Sequence, residues 1–318
     1  MVSLSDPQSA LISAAVLATV LLATPAFVWV AHRTAWIDRR AGSEALRKPR
    51  TEPVPLVGGA VLLVGLLVAS ALGGAPPGLP WPALVGALLL GLADDRRRGG
   101  LPPGTKLLGQ CAVGLLLVLV PGFEGDLAQR ALGCLLAVVA MNAINTFDNA
   151  DGAVVALGLL AFAPVAAVRS ALLGFLPFNL PWRRGGAPAA YLGDSGSHVV
   201  GLLIAWHPAA RLALLLPLLD LGRLVFVRLS RGQAPWVGDR RHLAHRLEAA
   251  GLPRPAVALA LVLAALPPFL GRGRSLAGLD GAWVGACVTA VIFALAVRWT
   301  PEPGTPEPPG GPRAGGAD

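Results

Sequence analysis

The chain has 318 residues, 54% hydrophobic and only 14% charged, against about 25% charged in an ordinary soluble domain. That balance excludes a water-soluble fold and predicts an all-α, polytopic integral membrane helical bundle. The formal net charge of +8 does not point to nucleic acid: the basic residues sit in short clusters between apolar runs, and no tract interleaves Lys or Arg with aromatics.

A helix needs about 20 apolar residues to cross a bilayer core. Runs of that character lie near 9–31, 56–73, 79–93, 106–121, 127–146, 152–168, 170–180, 196–207, 211–229, 254–270 and 279–298. About ten to eleven transmembrane helices are therefore expected, with 170–180 and 196–207 short enough to be half-helices or re-entrant segments. The first run, Leu11 to Ala31, has no basic residue ahead of it and reads as a membrane helix rather than a cleavable leader. Cys111, Cys134 and Cys287 lie in apolar runs without metal or disulfide spacing and read as small buried hydrophobes. Residues 1–299 form one transmembrane domain, and the Pro/Gly-rich stretch 300–318 reads as a disordered tail.

The loops set an orientation. Arg33, Arg39, Arg40, Arg47, Lys48 and Arg50 follow the first span. Arg96, Arg97, Arg98 and Lys106 lie around the third loop, Arg183 and Arg184 in a later one, and Arg231, Arg240, Arg241 and Arg246 in 230–253. The turns 74–78 and 122–126 carry no Lys or Arg. An outside N-terminus and a cytoplasmic C-terminus place these basic loops in the cytoplasm; Arg272 and Arg274 are the exceptions. The same topology brings Asp94, Asp95, Asp148, Asp151, Asp194 and the His242/His245 loop to one membrane edge.

Acids beside a bilayer are costly and mark functional sites by default. Asp94-Asp95 ends an apolar run; the alternative is an interfacial pair neutralised by Arg96–Arg98. Asn142, Asn145, Asp148 and Asp151 recur every three residues, which on a helix gives one polar face. That face could also be an interhelical hydrogen-bond stripe. In Gly193-Asp194-Ser195-Gly196-Ser197 an acid or serine could cap the following helix, while the two glycines let backbone or phosphate approach closely. Tyr191, the only tyrosine, stands just before it. His242 and His245 are three residues apart among arginines. A zinc pair lacks a nearby third ligand, an anion site fits the arginines, and contact with anionic lipid heads is the alternative. Carboxylates for Mg²⁺ beside cations for phosphates make a phosphoryl-transfer toolkit.

With these motifs in order, the stretch from about Arg47 to Leu252 resembles the polyprenyl-phosphate N-acetylhexosamine-1-phosphate transferase family. The resemblance rests on Arg47-Lys48-Pro49, Pro53 to Gly59, Gly91 to Asp95, Lys106 to Gln110, Asn142 to Gly152, Gly174 to Asn179, Gly193 to Ser197 and Asp239 to Leu247. It implies transfer of a sugar 1-phosphate from a UDP-sugar to undecaprenyl or another polyprenyl phosphate, with release of UMP. This would be the first membrane step of cell-envelope polysaccharide synthesis, at the cytoplasmic face of a bacterial inner membrane. It further implies Mg²⁺, with Mn²⁺ as a substitute, held by Asp194. Asp94 and Asp95 would engage the lipid phosphate. Lys48 and Lys106 would bind substrate, Asn145 and Asp148 would line the diphosphate site, and Asp151 and Tyr191 would hold the uracil. His242, His245 and Arg246 would stand near the phosphates. A homodimer is compatible with this family.

Departures touch the sugar. His242-Leu243-Ala244-His245-Arg246 lacks the three-histidine run of the MurNAc-pentapeptide branch, which favours a UDP-N-acetylglucosamine-like donor. Asn149 stands where many members have Gly. The interval from Asp194 to Asp220 is short, so a compressed helix pair is expected with His207 and Arg211 at its outer turn, and Pro181–Ala190 is long. The rival class, a transporter using the acids as an ion path, would place its site near the midplane and often carry internal repeats; none is seen.

Overall fold

The computed structural model describes residues 7–34, 36–38, 53–97, 99–120, 123–181, 186–276 and 278–303. The Arg47-Lys48-Pro49 motif, Arg98, Arg183, Arg184 and the tail from 304 onward lie outside the described residues. The helices in chain order are α1 (Pro7–Thr34), α2 (Gly58–Ala71), α3 (Trp81–Arg96), α4 (Pro103–Leu119), α5 (Leu127–Phe147), α6 (Ala153–Ala161) and α7 (Ala166–Asn179). They continue as α8 (Gly193–Trp206), a 3₁₀ segment (Pro208–Leu214), α9 (Leu215–Ser230), α10 (Leu243–Ala249), α11 (Arg254–Ala265), α12 (Pro267–Gly271) and α13 (Gly281–Trp299). Two short antiparallel pairs, β1 (Ile37–Asp38) with β2 (Val54–Pro55) and β3 (Ser275–Leu276) with β4 (Leu279–Asp280), complete the described structure.

The fold is a membrane bundle. Among the described residues, α1, α5, α13 and the continuous stretch Arg254–Gly271 are long and apolar enough to cross a bilayer. Leu11, Leu22, Leu67, Leu89, Leu135, Leu263 and Val291 are exposed on successive helices, an apolar belt that only lipid can cover.

Two segments depart from the expected spans. The runs 152–168 and 170–180 divide instead into α6 and α7. Pro164 is the cause: it cannot donate to a helix and it disfavours helical backbone at Ala163. The freed Ala163 carbonyl accepts from Arg169 Nη1 at 2.6 Å. At about 1.5 Å per residue the 9-residue α6 cannot span a bilayer core, but Val154, Val155 and Leu157 are fully buried, so protein and not lipid surrounds it. In the compressed region the chain turns at His207-Pro208, and Arg211 Nε closes the turn on the Ala205 carbonyl at 2.9 Å.

α8 lies at the centre, packed against α2, α3 and α5. Val199, Val200, Leu202 and Ile204 are all buried, as in a helix apolar all round. Glycine permits the approach. A Cβ on Gly91 would stand 2.2 Å from Ser195 Cα, and one on Gly59 would stand 2.6 Å from the Ser195 carbonyl carbon. The first turn of α8 is thereby clamped between α2 and α3, which fixes where Asp194 points.

Candidate active site

A cavity of about 1180 Å³ opens where the C-terminal ends of α3 and α5 meet the N-terminal ends of α4 and α8. The loop 231–242 and α10 form its opposite wall. Asp94, Asp95, Lys106, Asn145, Asp148, Asp151, Tyr191, Asp194, His242 and His245 all line it. Residues spread over some 150 positions of sequence thus meet at one end of the bundle, not at its middle.

Lys106 is the hub of the acidic wall. Its Nζ donates to Asp94 Oδ2 at 2.7 Å and to Asp194 Oδ2 at 2.8 Å, with Asn145 Oδ1 at 3.4 Å. Asp194 Oδ1 accepts from Asn145 Nδ2 at 2.6 Å. The Leu101 amide donates to Asp94 Oδ1. Lys106 and Asp94 are 19% and 5% exposed at the side chain and Asp194 30%, so Asp194 is the acid presented to the cavity. Two carboxylates share one ammonium, leaving a surplus of negative charge, and Lys106, Asn145 and the Leu101 amide engage all four of their oxygens.

Asp95 stands apart from this cluster. Its oxygens accept from the Asp194 and Ser195 amides at 2.8 and 3.1 Å. Those are orphan N–H groups of the first turn of α8, and Asp95 caps them from a different helix. Both Asp95 oxygens are thus engaged by backbone, while the residue still lines the cavity wall. Gly193 adopts φ +73, and a Cβ there would meet Asp95 Oδ2 at 2.9 Å. The motif glycines therefore serve backbone approach.

The polar stripe of α5 is helical only in part. Asn142 and Asn145 share a face, but α5 ends at Phe147, and Asp148 and Asp151 lie in the turn that closes at Gly152, φ +80. Asn179 holds that turn, accepting from the Gly152 amide at 3.1 Å and donating to the Ala190 carbonyl at 3.1 Å. Tyr191 is fixed alongside: its amide donates to the Pro55 carbonyl at 2.8 Å, and its carbonyl accepts from Gly58 at 3.2 Å.

The opposite wall is basic: Arg228, Arg240 and Arg254 join the two histidines. Asp239 latches the loop, accepting from Arg241 Nη2 at 2.6 Å, the Arg241 amide at 2.8 Å and Arg228 Nε at 3.0 Å. Burial works to raise the Asp239 carboxyl, but Arg241 and Arg228 outweigh it and hold it at about 2. Asp220 on α9 caps α10 through the Leu243 amide at 3.1 Å and approaches His242 Nδ1 at 3.7 Å. The rings of His242 and His245 meet edge to face at 6.1 Å. Arg246 does not join them. It is buried, and its guanidinium donates to the Val297 and Thr300 carbonyls, tying α10 to the end of α13. Arg246 is not among the residues that line the cavity. Lys48 lies outside the described residues.

Sequence reasoning passed over Arg254, which links Asp151 at 3.6 Å to Glu248 at 3.4 Å, and over Gln110 and His198 behind the acids. Arg254 opens α11 three residues after Gly251; of its two partners only Glu248 is near in sequence, so the link to Asp151 left no local signal.

Among the described residues no group of three or more His, Cys, Asp or Glu side chains is arranged to cage a metal ion. The oxygens of Asp94 and Asp194 do fit Mg²⁺, which is commonly held by one or two carboxylates completed by substrate phosphate oxygens.

No protein-family model matches the chain. Curated relatives do. It is 25% identical to the undecaprenyl-phosphate alpha-N-acetylglucosaminyl 1-phosphate transferase of Escherichia coli O157:H7, over 88% of this chain and 88% of that one. The enzyme of the same name from Yersinia pestis is 25% identical over 79% of this chain and 81% of its own. The decaprenyl-phosphate N-acetylglucosaminephosphotransferase of Mycobacterium leprae is 27% identical over 69% of this chain and 74% of its own.

Proposed function

We propose that this homologue of the polyprenyl-phosphate N-acetylglucosamine-1-phosphate transferases moves a sugar 1-phosphate, most simply N-acetylglucosamine 1-phosphate, from a UDP-sugar to a polyprenyl phosphate. The observation that carries the reading is the Asp94–Lys106–Asp194 cluster facing an arginine and histidine wall across one cavity. A transporter reading expects a site near the bilayer midplane, and this cavity lies at one end of the bundle.

An oxygen of the prenyl phosphate attacks the sugar-linked phosphorus of the donor. A new P–O bond forms, the bond to the bridging oxygen breaks, and UMP leaves with the electron pair. The acceptor is already ionised at neutral pH, so no strong base is needed; positioning and charge neutralisation supply the catalysis. Asp94 and Asp194 would hold Mg²⁺ with phosphate oxygens, and the ion would neutralise charge growing on the transferred group. Lys106, held between Asp94 and Asp194, would offer its ammonium to a phosphate oxygen bound beside them. Arg228, Arg240, Arg254, His242 and His245 supply forked and ring donors for the remaining phosphate oxygens. Tyr191 offers a stacking face and Asp151 an acceptor for the uracil imide. The basic loops support a cytoplasmic setting for this end, at a bacterial inner membrane, where UDP-sugars are found.

The test is UMP release by the detergent-purified protein with undecaprenyl phosphate, Mg²⁺ and a panel of UDP-sugars. UDP-N-acetylglucosamine should give the fastest release, and EDTA should abolish it. No release with any donor would contradict the function; release unchanged by EDTA would contradict the metal.

A further inference from the structure

Beneath the acid and lysine cluster lies a second polar layer that the transfer scheme does not use. Gln110 and His198 are 1% and 0% exposed, deep among apolar helices. His198 Nδ1 faces the backbone carbonyl of Asp194. A carbonyl only accepts, so Nδ1 carries the proton and Nε2 is left as an acceptor. Gln110 Nε2 donates to that nitrogen at 3.1 Å, and Gln110 Oε1 accepts from Asn142 Nδ2 at 2.7 Å. Asn142 Nδ2 also donates to the Val138 carbonyl at 2.9 Å. One tautomer and one amide orientation satisfy the whole chain of bonds.

The spacing connects the two layers. Gln110 follows Lys106 by four residues on α4, His198 follows Asp194 by four on α8, and Asn142 precedes Asn145 by three on α5. Residues three or four apart stack on one helix face. Each member of the cavity trio therefore has a lower-layer member one turn behind it on its own helix. The lower trio hydrogen-bonds across the same three helices that the upper trio must align.

Resting on the function proposed above, we infer that His198, with Gln110 and Asn142, is a positioning layer. It locks α4, α5 and α8 in axial register and so sets the Lys106–Asp194 and Asn145–Asp194 contacts at 2.8 and 2.6 Å. A shift of about 1 Å in such groups costs roughly 100-fold in rate. Gln110 and Asn142 reach the cavity wall and His198 does not; the layer acts on the reaction through the groups above it.

The experiment compares the full-length protein with His198→Leu, Gln110→Leu, the double variant and His198→Gln. UMP release gives kcat and KM, and imidazole ¹⁵N spectra give the tautomer independently of activity. Each Leu variant should lower kcat roughly 10- to 100-fold while KM for the UDP-sugar stays within about threefold. The double variant should be no slower than the worse single one, since the bonds form one unit. His198→Gln retains a donor and an acceptor and should recover most of the loss. The parent spectrum should show a protonated Nδ1 and a hydrogen-bonded bare Nε2, the latter shifted by Gln110→Leu. Leu variants within about twofold of the parent, losses that multiply in the double variant, or an Nε2-protonated imidazole would each overturn the inference. A parent that releases no UMP while showing the expected tautomer contradicts the proposed function and, with it, the catalytic purpose of the layer.

Discussion

At the adjacent acids Asp94 and Asp95, one carboxylate meets the Lys106 ammonium and the other meets two backbone amides of α8. Their variants should separate accordingly. Asp194→Asn, which removes the exposed charge of the cluster, should cut the transfer rate by about 100- to 1000-fold, the scale of losing one preorganised electrostatic group. Asp95→Asn should act mainly on stability, lowering it by about 1 kcal/mol in a thermal melt as a helix cap is weakened. An Asp95→Asn protein with an unchanged melt and a rate as low as Asp194→Asn would show Asp95 touching substrate. Asp239 gives a pH prediction. Its folded value of about 2 lies below the ordinary value of about 4, so its contribution is fully present above that ordinary value. It is lost as pH falls through the folded value. Hydrogen-exchange protection of the 233–241 loop, relative to the intrinsic rate at each pH, should therefore hold from neutrality to about pH 4 and fall below it, and Asp239→Asn should lack that protection at every pH. A loop equally protected in the variant contradicts the latch.

At the scale of elements, α8 carries the site because glycines on its neighbours let it come close. Gly91→Ala drives a Cβ to 2.2 Å from Ser195 Cα, in contact with backbone that cannot fold away. It should cost about 1–3 kcal/mol of stability and displace Asp194, visible as a lower melting temperature together with lost activity. Gly222→Ala on α9 meets nothing within 4 Å and should be neutral or slightly stabilising, as alanine favours helix. If both glycines tolerate alanine equally, α8 is not clamped. These roles were only half legible in the sequence. The run from Gly193 to Ser197 announced a close approach, but its partners, Gly59 and Gly91, are about 100 or more residues away. The cap from Asp95 was hidden for the same reason. Asp148 and Asp151 kept the spacing of a helix face although α5 stops at Phe147, with Asp148 as its C-terminal cap and the left-handed Gly152 leading into α6. His198 stands in an apolar run of the sequence; its four-residue offset from Asp194 acquires meaning only once α4 and α5 are packed beside it.

For the whole molecule, hydropathy was the most readable layer: each apolar segment is helical, with breaks at Pro164, Pro208 and Pro267, where proline removes a donor. Charge gave the convergence of the acids on one end, and the cavity gathers them there. The orientation proposed from the same loops is open to direct labelling. In a cysteine-free background lacking Cys111, Cys134 and Cys287, Pro77→Cys should react with an impermeant maleimide on intact cells, and Val237→Cys only after lysis. The reverse pattern would invert the bundle. The central claim, that a sugar 1-phosphate and not a bare sugar moves, is tested most directly by the fate of the phosphorus. Purified protein is given UDP-N-acetylglucosamine labelled with ³²P at the β-phosphate, undecaprenyl phosphate and Mg²⁺. The expected result is label in the organic-soluble lipid and unlabelled UMP in water. Label remaining in water as UDP, or no label reaching the lipid, would contradict it.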